Sequence, residues 1–142
     1  MFKSNSLIPE LSVANLSKSL NFYLNLLSFN IEYERKEDLF AMVSLQGSQL
    51  MLEQINGHWQ TAELAYPFGR GINFQMAVDS IEEIYRTLLL NKYPIKVEIQ
   101  ENWYRAGERS IGQKEFLVMD PDGYLLRFVQ PLGEKEEVYL ND

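Results

Sequence analysis

Residues 116–129, Phe116-Leu-Val-Met-Asp-Pro-Asp-Gly-Tyr-Leu-Leu-Arg-Phe-Val129, set two apolar runs on either side of Asp120-Pro-Asp-Gly123. Pro121 presets φ at the first central turn position, the aspartate side chains can bond the local backbone, and Gly123 accepts a positive φ that other residues resist. The stretch reads as a β-hairpin. Such turns occur in many β proteins as plain structure, so what decides the fold is that the surroundings of this one repeat an earlier part of the chain.

Working outward, each half of the chain gives the order βαβββ. In the first half, residues 7–13 alternate as a half-buried strand does, and Asn15 or Ser17 can cap a helix carrying Leu16, Leu20, Tyr23, Leu24 and Leu27 on one face. Strand candidates follow at 31–35, 40–46 and 49–54, divided by Lys36-Glu-Asp38 and Gly47-Ser48. After the polar loop around Asn56-Gly-His-Trp59 the order restarts. Residues 72–78 form a strand, and Asp79 or Ser80 opens a helix with Ile81, Ile84, Tyr85, Leu88 and Leu89 on one face. Strands follow at 96–100, 115–119 and 124–130. Laying Leu11-Ser-Val13 on Met76-Ala-Val78 brings Leu16, Leu20 and Leu24 onto Ile81, Tyr85 and Leu89, and Leu50-Met-Leu-Glu53 is matched with Tyr124-Leu-Leu-Arg127. A period this long means duplicated modules rather than a solenoid. Each module covers one sheet face with a helix and leaves the other face free to curve around a cavity.

A chain of 142 residues has the size of one domain and can bury a substantial core. We expect a single domain over residues 1–133, with module one at about 6–56 and module two at about 70–131, followed by an acidic tail at 134–142 that is either mobile or an arm on a partner. No apolar run approaches the roughly 18 residues needed to cross a bilayer, and Met1-Phe-Lys-Ser-Asn-Ser6 lacks a signal peptide's apolar segment, so the expected location is cytoplasmic, away from membranes. The absence of cysteine excludes disulfides, thiolate metal sites and cysteine nucleophiles. Thirteen basic and twenty acidic side chains give a net charge of −7, which argues against nucleic acid as a partner and favours a cationic ligand wherever the acids converge. With one histidine, His58, no Ser-His-Asp arrangement can be built, and the glycines at Gly69-Arg-Gly71 and Ala106-Gly107 lack phosphate-loop spacing.

Val13-Ala-Asn-Leu-Ser-Lys-Ser-Leu-Asn-Phe-Tyr23 and Asp120-Pro-Asp-Gly-Tyr124 are similar to the first strand-to-helix segment and the late hairpin of the vicinal oxygen chelate superfamily. That superfamily holds glyoxalase I, extradiol dioxygenases, and fosfomycin and bleomycin resistance proteins, and the resemblance runs from Ile8 to about Gln130. It implies an α+β fold of two βαβββ modules whose curved mixed sheets surround a cavity. In metal-dependent members the ligands sit on the first and last strands of each module. The resemblance carries these positions onto Ile8, Glu53, Asn73 and Arg127. Only Glu53 is a convincing ligand there, since Ile8 has no donor atom, Asn73 is a weak one and Arg127 is a cation. No metal and no other cofactor is therefore expected.

If those positions face the cavity, the strand period of two places Ile8, Glu10, Ser12, Met51, Glu53, Asn73, Gln75, Ala77, Leu125, Arg127 and Val129 on the cavity side. Leu11, Val13, Leu50, Leu52, Phe74, Met76, Val78, Leu126 and Phe128 then face the helices. The second set is wholly apolar, as a core requires, and the first is mixed, as a wet ligand groove requires. Glu53 and Arg127 are expected at corresponding positions, where they form a structural ion pair or, alternatively, Glu53 and Glu10 receive a cationic ligand while Arg127 holds the groove in shape. Trp59, Tyr66, Phe68, Trp103 and Tyr104 either stack on a flat ligand or pack against a sheet edge or subunit interface. His58 is a solvated loop residue or a contact at the cavity mouth.

The chain most resembles the bleomycin resistance proteins, whose likeness implies a homodimer that sequesters a cationic antibiotic in grooves lined by both chains. The expected function is binding of a cationic aromatic small molecule, without catalytic residues, through Glu10, Ser12, Glu53, Trp59, Asn73, Gln75, Trp103 and Arg127. The alternative is a divergent glyoxalase-like or dioxygenase-like enzyme with altered metal ligands, or a metal-free isomerase using Glu53 as base. Whether the modules pair within a chain or across a dimer stays open at this stage.

Overall fold

The computed structural model describes residues 1–136, so the part of the expected acidic tail at 137–142 lies outside the described residues. Module one contains β1 (Glu10–Val13), α1 (Leu16–Leu20), β2 (Asn30–Arg35), β3 (Phe40–Leu45) and β4 (Ser48–Gln54). Module two contains β5 (Asn73–Ala77), α2 (Ile81–Leu90), β6 (Val97–Ala106), β7 (Arg109–Met119) and β8 (Leu125–Glu136). The two four-stranded sheets have the orders β1-β4-β3-β2 and β5-β8-β7-β6, the same topology twice. In each, the first and last strands pair in parallel and the others antiparallel. Among the described residues no helix is long and apolar enough to cross a membrane.

The helix of each module starts on a matched device. Asn15 caps α1 by accepting from the Lys18 N–H, so Ser17 lies inside the helix. The Leu16 N–H also donates to Gln54 Oε1 at 3.1 Å, and in module two the Ile81 N–H donates to Gln130 Oε1 at 3.2 Å. A glutamine from the last strand thus satisfies an otherwise orphaned N–H at each helix start. After Leu20, α1 continues as π-helix over Asn21–Leu26, which keeps Phe22 and Tyr23 buried.

The helix-facing strand residues form one core shared by both modules. Leu11, Val13, Leu50, Leu52, Met76, Val78, Leu126 and Phe128 are buried in it, with Phe74 packed against its edge. The Asp120-Pro-Asp-Gly123 turn is what ties the modules together. Tyr23 donates through its hydroxyl to Asp120 Oδ2 at 2.8 Å, the Ala14 N–H donates to Asp122, and the Tyr124 hydroxyl donates to the Ser12 carbonyl at 2.9 Å. Asp120 Oδ1 accepts the N–H groups of Asp122 and Tyr124 as well. Burial outweighs these bonds and raises the Asp120 carboxyl from 3.8 to about 6.

Three expectations need correction. The first strand begins at Glu10 rather than residue 7, leaving Ile8 ahead of it. The strands expected at 96–100 and 115–119 are longer: β6 and β7 continue as a hairpin to Ala106 and Arg109, because the Trp103 ring lies on Gly112 and Tyr104 pairs with Ile111. The last strand runs to Glu136, so residues 134–136 belong to the sheet, where Glu134 accepts from Arg109 Nε at 2.9 Å.

Candidate functional site

Because the core takes one face of each sheet, the opposite faces stay open. On module one the ladder puts Ser12, Glu53, Phe40 and Arg35 in one row across the open face, and Glu10, Met51, Met42 and Tyr33 in the next. Phe40 and Met42 form a buried apolar floor at 2% and 1% exposure. The Arg35 guanidinium lies 3.9 Å above the Phe40 ring and holds Asp38 with Nε at 3.2 Å from Oδ2.

The loop that follows β4 raises a wall beside this face and encloses a cavity of about 570 Å³ lined by Glu10, Arg35, Glu37, Asp38, Glu53, His58 and Trp59 among others. Asn56 shapes that wall, donating through Nδ2 to Glu53 Oε1 at 2.8 Å and accepting the His58 N–H at 2.9 Å. Trp59 is 71% exposed and meets His58 edge to face. Four acids face one guanidinium here, which Asp38 already engages. Desolvation, and then repulsion from Glu53, raises the Glu10 carboxyl above its ordinary value against a smaller opposing pull from Arg35. A cation entering between Glu10 and Glu53 would relieve that repulsion, and the Trp59 face could stack on a flat ring.

The open face of module two is organised by a residue that sequence reasoning missed. Glu115, 5% exposed, accepts from Arg127 Nε at 3.0 Å, from the Tyr104 hydroxyl at 3.0 Å and from Gln113 Nε2 at 2.6 Å. Arg127 also donates through Nη2 to the Tyr104 oxygen. Asn73, Gln75 and Ala77 on β5 are exposed beside this network. The signal for Glu115 was its alternation with Phe116 and Val118, readable only once β7 is known to be a long strand.

The structure thus gathers Glu10, Glu53 and Trp59 at one cavity, with Ser12 on the same face, and puts Asn73, Gln75 and Arg127 on the open face of the other module. The expected Glu53–Arg127 pair does not form. Register shows why: Glu53 lies opposite Ser12, whereas Arg127 lies opposite Gln75, so the true counterpart of Arg127 in module one is Met51 and that of Glu53 is Val129. The matching of the two last strands was two residues out. Val129 is buried at 2% exposure. Trp103 leaves the groove set too, since strand alternation turns it to the face opposite Tyr104, where it rests on Gly112 beneath the Lys135 ammonium at 4.0 Å from its centroid.

Bleomycin resistance proteins from Geobacillus stearothermophilus and Staphylococcus aureus are 25% identical to the chain over 135 residues, spanning 88% of it and 96% of each relative. This likeness supports the resemblance to the vicinal oxygen chelate superfamily, the group of glyoxalase, bleomycin resistance and dioxygenase proteins. Solved structures agree on this fold. TioX from Micromonospora sp. ML1 superposes with a TM-score of 0.69 at 14% identity, over 91% of this chain and 100% of TioX. A glyoxalase/bleomycin resistance protein/dioxygenase from Alicyclobacillus acidocaldarius gives 0.62 at 16%, over 90% and 92%. No family model matches the sequence.

The metal site of the superfamily's enzymes does not fit the residues present. Ile8 precedes the strand and carries no donor, Glu53 is held by Asn56, and Val129, the register counterpart of Glu53 in module two, has no donor side chain either. Among the described residues no three His, Cys, Asp or Glu side chains are arranged to hold a metal ion.

Proposed function

We propose that this protein binds a cationic, aromatic small molecule in the acidic cavity of module one and sequesters it without chemical change, acting in the cytoplasm. The observation that carries the reading is the joint placement of Glu10, Glu53 and Trp59 on one cavity whose other charges are mostly acidic. The name of the bleomycin resistance relatives points the same way. Glu10 and Glu53 supply charge, Trp59 a stacking face, and Ser12 a hydroxyl beside them.

The functional unit in this reading is a homodimer in which module one of one chain faces module two of the other. Within a chain the helix sides are already spent on the shared core, while both open sheet faces, with Asn73, Gln75 and Ala77 bare, want a cover. Arg127, neutralised by Glu115, then shapes the far wall of the groove.

Calorimetric titration of the protein with a bleomycin-family drug, with spermine as a control polycation, tests the proposal. Saturation at one drug per chain that spermine does not reproduce is the expected result. Absence of heat and of saturation for the drug would remove the drug-sequestration reading.

A further inference from the structure

A second concavity lies away from the acidic cavity, where module two meets the connection between modules. It is about 320 Å³, walled by Tyr66, Tyr93, Ile95, Met119 and Pro121, with Lys18 and Lys96 at its rim. A smaller hollow of about 210 Å³ adjoins it, sharing Lys96 and Met119 and carrying Arg70 on its far side. Two adjoining hollows are thus lined by Lys18, Lys96 and Arg70 in a chain of net charge −7.

The polar groups in the walls are already committed. The Tyr93 hydroxyl donates to the Met119 carbonyl, and Asp120, 2% exposed, is held by Tyr23 and two backbone N–H groups. Arg70 is bound to its own loop, with Nη2 on the Tyr66 carbonyl at 2.9 Å and Nε on that of Pro67 at 3.2 Å. Lys18 and Lys96 make no such bonds: among the described residues neither is within ion-pair distance of an acid, as is true of most basic side chains here, and what sets these two apart is that they share one groove. What the groove offers a ligand is therefore two ammonium groups, which only donate, above apolar and aromatic walls, with the Asp120 carboxyl buried behind its own hydrogen bonds and Asp122 acting on Lys18 from beyond ion-pair distance.

We propose that this groove is a second ligand site, selective for a small amphipathic anion such as an aromatic carboxylate. Its flat body lies between Tyr66 and the Ile95–Met119 side, and its carboxylate meets Lys18 and Lys96. The acidic cavity and this groove then select opposite charges on one chain, and the second site does not depend on the first.

The probes are 2-naphthoate and its neutral analogue 2-naphthalenemethanol, followed by amide chemical shifts in the full chain. Saturable shifts for 2-naphthoate confined to residues around Lys18, Tyr66, Ile95 and Lys96, with weaker binding of the alcohol, are expected. The Lys18→Gln, Lys96→Gln double variant should weaken 2-naphthoate about tenfold while leaving the alcohol unchanged. Both lysines are exposed, so folding should survive, and an unchanged spectrum away from the groove checks this. Glu53→Gln, which disables the acidic cavity, should leave 2-naphthoate binding intact. Equal binding of acid and alcohol, shifts centred elsewhere, or indifference to the lysine variant would overturn the proposal.

Discussion

Replacing Arg127 by alanine strands Glu115, a carboxylate 5% exposed that would keep only Tyr104 and Gln113 as donors. We expect a loss of about 2 kcal/mol in urea-induced unfolding, with ligand preference nearly unchanged, because an unpaired buried charge costs more than its pair was worth. An equal loss of binding at unaltered stability would contradict the wall-shaping role. Asp120 gives a pH signature. Its folded carboxyl titrates near 6 against an ordinary 3.8, so the folded state holds the proton more tightly and the associated stability is present below about 4 and lost as pH rises through about 6. Unfolding curves at pH 4.5 and 7 should therefore converge in Asp120→Asn relative to the parent protein, at the expense of the Tyr23 hydrogen bond. A parent-like pH slope in that variant would mean that other groups govern the window.

At the scale of elements, two glycines carry the close approaches. Gly123 has φ of +96°, and a Cβ there would come within 2.6 Å of the Pro67 Cα, backbone meeting backbone. Gly123→Ala should cost about 3 kcal/mol, since both the turn conformation and the docking of the connection are disturbed. Gly112→Ala places its methyl 2.5 Å from the Trp103 ring, which can swing away, so the expected effect is a red-shifted Trp103 emission with a smaller loss of stability. The alternation of apolar residues made the partition of strand faces readable in advance: Leu11, Val13, Leu50, Leu52, Met76, Val78, Leu126 and Phe128 all face the core. The β6–β7 hairpin was not readable, because its outer half has no apolar alternation and its pairing depends on Trp103 over Gly112 and Tyr104 beside Ile111, a fit between strands with no local signature. The Gln54 and Gln130 caps were hidden by the same two-residue mismatch that joined Glu53 to Arg127. Setting the parallel pairs Leu11–Leu52 and Met76–Phe128 side by side recovers both.

For the whole molecule, one shared core and two open sheet faces set the expected assembly and function. Sedimentation equilibrium should give a homodimer, and a monomer at all accessible concentrations would leave the acidic cavity without its far wall. The sequence led to Glu10, Glu53 and Trp59 because charge and ring type are visible in it. It did not reveal Glu37, Asp38 and Arg35 as their neighbours, since those come from the 3₁₀ turn Lys36–Asp38 and the β2 end beside it, brought to the cavity only by the β2–β3 register. The most direct test is a fluorescence titration of Trp103→Phe protein, in which Trp59 is the remaining indole, with a bleomycin-family drug. Saturable quenching at one drug per chain, abolished when Glu10 and Glu53 are both changed to glutamine, is what the acidic-cavity account predicts. A Trp59 signal that never responds to the drug, or that responds equally without the two carboxylates, would contradict it.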